Sequence, residues 1–138
     1  MALLFVNNKK NLYLIDTSNN KTLGIYQFDN DYKFSVEFIH SVNKSPVIDY
    51  YEYKNNNIYV TKTIYYNFGA GVETELENNE KLSYGDNGEM IISNIDKIIN
   101  PLIYVVGSVY DHILYINNDK IILNNLYGKN KHIKFEIK

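Results

Sequence analysis

Apolar and polar residues alternate with a period of two along most of this chain, and the alternation is cut at short intervals by clusters of asparagine, aspartate and glycine. Such a chain has few options other than a stack of short β-strands. From Tyr32 to Phe38 the even positions Tyr32, Phe34, Val36 and Phe38 are apolar while Lys33, Ser35 and Glu37 are polar, the pattern of a strand with one face in a core. Ile58–Tyr66 is dense in β-branched and aromatic residues, which suit a pleated surface. The interruptions at Ser18-Asn19-Asn20, Asp29-Asn30-Asp31, Asn55-Asn56-Asn57, Gly85-Asp86-Asn87-Gly88, Asn117-Asn118-Asp119 and Tyr127-Gly128-Lys129-Asn130 consist largely of residues that tolerate left-handed backbone or bond their own main chain. Each therefore reads as a turn.

Strands are expected near 11–16, 23–28, 32–40, 47–54, 58–66, 89–93, 102–106, 112–117, 120–124 and 131–137, most of them joined by hairpin-length turns. The stretch 67–80 is too polar and glycine-rich for a strand and reads as a long loop, and Ile91–Ile99 admits one helical turn as an alternative. No amphipathic helix is evident. The expected class is all-β, an antiparallel β-sandwich or small barrel of roughly nine to ten short strands; the pattern alone does not choose between the two. At 138 residues the chain has the size of a single domain that buries roughly two thirds of its unfolded surface, so one domain is expected over residues 1–138.

Charge and composition narrow the function classes. Fourteen basic residues, all lysine, stand against sixteen acids for a net charge of −2, and no basic run exceeds a pair, so the electrostatic footprint of a nucleic-acid binder is absent. Without cysteine there is no disulfide framework, thiolate zinc site or cysteine nucleophile. No stretch approaches the ~20 apolar residues that span a bilayer, and Ala2-Leu3-Leu4-Phe5-Val6 is too short for a whole signal sequence. The protein is thus expected either to be cytosolic or to have had a leader or anchor ahead of this sequence.

Four places carry chemistry. His40-Ser41-Val42 leads into Ser45-Pro46, where proline restricts its own φ and the preceding residue, making a shaped corner. His40 there is either a ligand-contacting or metal-binding imidazole or, as the reading favoured here, a corner residue whose ring bonds nearby backbone. Asp49 opens the run Asp49-Tyr50-Tyr51-Glu52-Tyr53, in which Asp49, Tyr51 and Tyr53 share one face; its carboxylate is placed to orient His40 across the corner. In Phe68-Gly69-Ala70-Gly71 the glycines allow a small anion-binding nest, although no Lys-Ser pair follows as in a phosphate loop, and a bulged turn is the plainer account. Asp111-His112 precedes a strand, and His112 with His40 and Asp49 makes a weak metal candidate that no local spacing supports. His132, on the last strand, is expected to be exposed. The 14 tyrosines are scattered through every strand, which leaves sugar stacking a minor reading.

The segment His40-Ser41-Val42-Asn43-Lys44-Ser45-Pro46-Val47-Ile48-Asp49-Tyr50-Tyr51, followed by Phe68-Gly69-Ala70-Gly71-Val72, resembles the signature of a bacterial domain-of-unknown-function family, DUF1850. The likeness runs over nearly the whole chain, from Leu12–Asp16 through Asp111-His112 to His132–Ile137, with one departure at Glu73, where the family often has proline. The resemblance implies a small protein outside the cytoplasmic membrane, preceded by an N-terminal hydrophobic leader, anchored or secreted, and often encoded beside TRAP-type transporters of the TAXI class. It supplies no known activity. A non-enzymatic accessory or binding module is therefore expected, with no cofactor and with a transporter subunit or solute-binding protein as the possible partner. The contact candidates are His40, Ser41, Ser45, Pro46, Asp49, Gly69, Ala70, Gly71 and His112. Two alternatives stand beside it: a histidine- or metal-assisted hydrolase at the His40 corner, and an envelope adhesion or structural module.

Overall fold

The computed structural model of the chain describes residues 9–67, 75–107 and 109–138. Two antiparallel sheets pack face to face with open ends, so the sandwich is formed and the barrel is not. The smaller sheet has the order β2 (Lys21–Gln27), β1 (Asn11–Asp16), β12 (His132–Ile137), β9 (Leu102–Val105). The larger runs β11 (Asp119–Ile122), β10 (Ile113–Ile116), β3 (Lys33–Ile39), β4 (Pro46–Lys54), β5 (Asn57–Tyr65), β7 (Met90–Ser93), β6 (Lys81–Tyr84), with the two-residue β8 (Lys97–Ile98) also paired to β5.

Alternation sets which side chains enter the core. On β12, Ile133, Phe135 and Ile137 are buried while Lys134 and Glu136 lie between them facing out; on β3, Phe34 and Val36 enter the core, and Ser35 between them is covered as well. The sheets meet through a ladder of rings. Phe34 stacks on Tyr51 at 5.1 Å within its own sheet and on Phe135 of the facing sheet at 5.9 Å and 9°, and Tyr104 meets Phe135 edge-on at 5.5 Å. Stacked and edge-to-face rings add attraction beyond the area they bury.

The hairpin turns are held by asparagine. Asn55-Asn56 (φ 50 and 61) joins β4 to β5 and Asn117-Asn118 (φ 53 and 67) joins β10 to β11, two-residue left-handed turns whose twist matches that of the strands they connect. Among the described residues, ten non-glycine positions have positive φ; nine are asparagine and the tenth is Lys44.

All ten expected strands are present within a few residues of their expected places. Three features differ. Lys81–Tyr84 pairs with β7 as an additional, fully exposed edge strand, so it carries no core-facing pattern. Ile91–Ile99 forms no helical turn but contributes to β7 and, after a bend, β8. The strand expected over 120–124 ends at Ile122, and Leu123–Tyr127 turns into the short helix α1. That helix lies against β2: the Tyr26 and Tyr127 hydroxyls are hydrogen-bonded, and a methyl group at Gly24 would collide with the Tyr127 hydroxyl, which accounts for a glycine inside a strand.

Candidate functional site

Inward parity on β4 runs Val47, Asp49, Tyr51, and two of these three are core residues at 2% and 5% exposure. Asp49 therefore projects a carboxyl group between the sheets, where a polar group needs partners. Among the described residues three hydroxyls approach it. Thr63, its cross-strand neighbour on β5, donates to Oδ1 at 2.8 Å. Tyr104, reaching over from β9 of the facing sheet, donates to Oδ2 at 3.0 Å, and Tyr51 lies 3.4 Å from the same oxygen. The two phenol oxygens are 2.5 Å apart. Each phenol has one proton to give, so the short contacts are satisfied together as a relay, Tyr51 donating to Tyr104 and Tyr104 to Asp49.

A β-bulge makes this arrangement possible. The β4–β5 register shifts between Tyr50 and Tyr51, so Tyr50 faces Lys62 but Tyr51 faces Val60. The extra residue, Thr61, donates its hydroxyl to the Tyr50 carbonyl at 3.3 Å. Alternation on β5 thereby changes phase: Ile58 and Val60 face inward below the bulge and Thr63 faces inward above it.

Beside Asp49 opens a cleft of about 430 Å³. Val60, Ile92, Ile95 and Ile99 supply apolar walls, and Glu77, Glu80 and Lys97 stand at its lining with Glu75. Lys97 is engaged with Glu77 at 2.8 Å. Among the described residues no cation pairs with Asp49. Burial pushes its carboxyl above the usual carboxylate range, and the hydrogen bonds from Thr63 and Tyr104, with the Tyr51 hydroxyl beside them, only partly oppose that. Tyr104 is pushed far above the usual phenol range, by burial first and then by Asp49 and Tyr51.

The sequence candidates divide around this cleft. His40 is a corner residue: its Nδ1 accepts from the backbone N–H groups of Val42 and Asn43 at 3.2 and 3.3 Å, and its backbone N–H donates to the Ser45 carbonyl at 2.8 Å. Ser41 is exposed, Ser45 is buried, and Pro46 starts β4. The expected orientation of His40 by Asp49 is not formed. Asp49 pairs with Val36, four residues from His40, roughly 13 Å along an extended strand. His112 does come near: its ring stacks on Phe38 at 5.9 Å and 12° and meets Tyr104 at 5.9 Å, on a residue that Asp49 also holds. Burial lowers its basicity, and Nδ1 accepts from Gly107 N–H at 3.4 Å. Among the described residues no three His, Asp or Glu side chains gather as metal ligands. Gly69, Ala70 and Gly71 lie outside the described residues. His132 is exposed.

Tyr104, Thr63 and the isoleucine walls escaped the sequence reading. The signal that was present is local: an aspartate at an inward position between Val47 and Tyr51.

A second carboxylate, on β1, has the opposite electrostatics. Asp16 accepts from the Ser18 hydroxyl at 2.7 Å, the Ser18 N–H at 3.0 Å and Lys131 Nζ at 3.0 Å, which hold it at about 2. Its stabilising contribution is complete above the unfolded value and is lost as pH falls toward 2. Asp49, with a raised value, binds its proton more tightly folded than unfolded, so its contribution falls as pH rises above the unfolded value of 3.8. Urea unfolding from about pH 3 to about pH 7 is expected to show the stability of wild type relative to Asp49→Asn declining with rising pH, and relative to Asp16→Asn declining with falling pH. A flat wild-type to Asp49→Asn difference across that range would mean that Asp49 titrates as a solvated carboxylate.

No curated protein and no solved structure matches this chain. A family model described as "Domain of unknown function (DUF1850)" matches residues 34–123, a span that includes Asp49, Tyr51, Thr63, Tyr104 and His112. The chain belongs to the DUF1850 family.

Proposed function

We propose that this domain is a non-enzymatic accessory module that binds a small solute or a partner group in the Asp49 cleft, acting outside the cytoplasmic membrane beside a TRAP-type uptake system of the TAXI class. The observation that carries the binding part is the cleft itself: apolar walls converge on one half-buried carboxylate held by hydroxyls, the make-up of a small-ligand site. The transporter association rests on what the family resemblance implies. The hydrolase alternative required His40, Asp49 and His112 to converge, and His40 instead turns its Nδ1 to the backbone of its own turn. Among the described residues no helix is long and apolar enough to cross a membrane.

An adhesion or structural role draws on a different feature, the outward Ile103 and Val105 of edge strand β9 and the exposed Val109 and Tyr110 after it. Equilibrium binding separates the two readings. The immobilised domain is expected to capture the solute-binding protein of the neighbouring transporter saturably. Asp49→Asn should weaken capture at least ~10-fold, a loss of about 1.4 kcal/mol, while His40→Ala, folded but with a looser corner, should not. Absence of capture by well-folded protein, with and without solute, overturns docking to that partner.

A further inference from the structure

We infer that the Asp49 cleft takes an organic cation, a small molecule carrying an ammonium-type group on an apolar body. The inference rests on reading this cleft as the binding site and names the chemistry it accepts.

Three observations carry it. First, a carboxylate offers about four acceptor positions, and here one contact falls on Oδ1 and two on Oδ2, leaving capacity on the Oδ1 side. Second, all three partners are neutral hydroxyls. Asp49 is half-buried between the sheets, and a charge drawn away from water without a counter-charge is costly, so a ligand cation supplies what the described residues do not. Third, the described residues of the lining carry four carboxylates, Asp49, Glu75, Glu77 and Glu80, against one lysine, Lys97, a balance that draws in cations and repels anions. The walls of Val60, Ile92, Ile95 and Ile99 select among cations: an alkyl chain gains by covering them, whereas a strongly hydrated metal ion gains nothing from them. The volume, about 430 Å³, lies in the range of small-ligand pockets.

The other candidates were weaker. The groove on the outer face of the large sheet contains Tyr50 and Tyr115, but Lys62 lies over the Tyr50 ring at 4.2 Å and Glu37 accepts from the Tyr115 hydroxyl at 2.9 Å. The amide nitrogen of Asn43, unpartnered among the described residues, lines neither that groove nor the Asp49 cleft.

The test uses n-butylammonium, with n-butanol and butyrate as neutral and anionic counterparts, followed by methyl NMR of Ile92, Ile95 and Ile99 in the whole chain. Butylammonium is expected to shift these methyls saturably with a Kd on the order of millimolar, as befits so small a ligand, and at least ~10-fold more tightly than either counterpart. Asp49→Asn should abolish the preference for the cation. Ile95→Trp, which fills the cleft from its wall and leaves Asp49 in place, should abolish binding of all three and guards against misfolding of the first variant. Equal affinity for butanol, stronger binding of butyrate, an unchanged Kd in Asp49→Asn, full displacement by millimolar calcium, or no saturable shift would each overturn the inference. Butylammonium binding without capture of the solute-binding protein would uphold the cleft chemistry and fail only the transporter partnership.

Discussion

Replacing Phe135 with alanine is expected to cost about 3–5 kcal/mol, the largest effect of any single truncation considered for this fold. Phe135 is 2% exposed on β12, between β1 and β9. It meets Phe34 of the opposite sheet face to face and Tyr104 edge to face. Truncation removes the transfer energy of the ring and leaves a cavity that two rigid sheets close only in part. A domain of this size has a total stability of about 5–15 kcal/mol, so the variant should fold marginally, with the thermal midpoint lowered by roughly 10–20 °C. Phe135→Leu, which keeps most of the volume, should cost substantially less. Urea and thermal unfolding measure both. A loss below about 1 kcal/mol in the alanine variant would show that the sheets do not pack through this ring. The same truncation removes the edge contact that steadies Tyr104, so disorder should spread to the hydroxyl relay on Asp49.

The second large effect is expected at Asn124. Its side chain is the hub of the 106–112 segment: Nδ2 donates to the Gly107 carbonyl at 2.6 Å and to the Tyr110 carbonyl at 3.3 Å, while Oδ1 accepts from the His112 N–H at 2.7 Å. Asn124→Leu fills similar space but strands these backbone groups, at about 1–3 kcal/mol for each left without a partner. A total near 3 kcal/mol is expected, allowing for water reaching Tyr110. Asn124→Asp keeps the acceptor for His112 but turns a carboxylate oxygen toward two carbonyls, so it should recover little at neutral pH. Hydrogen exchange gives an independent readout, since the His112 amide should lose protection in Asn124→Leu and retain more of it in Asn124→Asp. If Asn124→Leu unfolds at the wild-type urea midpoint, these bonds contribute nothing net to the fold.

How far the fold could be read from sequence depended on whether a strand kept one phase. β3 and β12 alternate without interruption, and their inward residues, Phe34 and Val36 or Ile133, Phe135 and Ile137, are those the pattern picks out. On β5 the bulge at Thr61 moves the inward set from even to odd numbers, so Ile58–Tyr66 announces a strand but conceals which of its side chains meet Asp49. β6 buries nothing and leaves no pattern to read. α1 has neither a side-chain cap at its start nor an acid in its first turn; tertiary bonds through Asn124 hold it, and these join residues far apart in the chain. The site divides in the same way. Asp49 and its inward face were legible from β4 alone, whereas Tyr104 belongs to the other sheet, and only folding brings it to Oδ2. The expected bond between Asp49 and His40 failed because nearness in sequence across a corner is not nearness in space once β3 and β4 are extended.

Left-handed asparagines at the hairpin tips bear on how such a sequence drifts. Asparagine and lysine codons differ only in the third base, so the most accessible exchange at any of these turns replaces a neutral residue with a cationic one. A side chain less suited than asparagine to left-handed backbone costs about 1–2 kcal/mol, enough to be felt but not enough to unfold a domain. Lys44 at φ 55 shows that this backbone accommodates the product. Point mutation can therefore place positive charge at one loop tip after another while strand pairing stays intact, so the surface electrostatics of the turns can change much faster than the architecture beneath them.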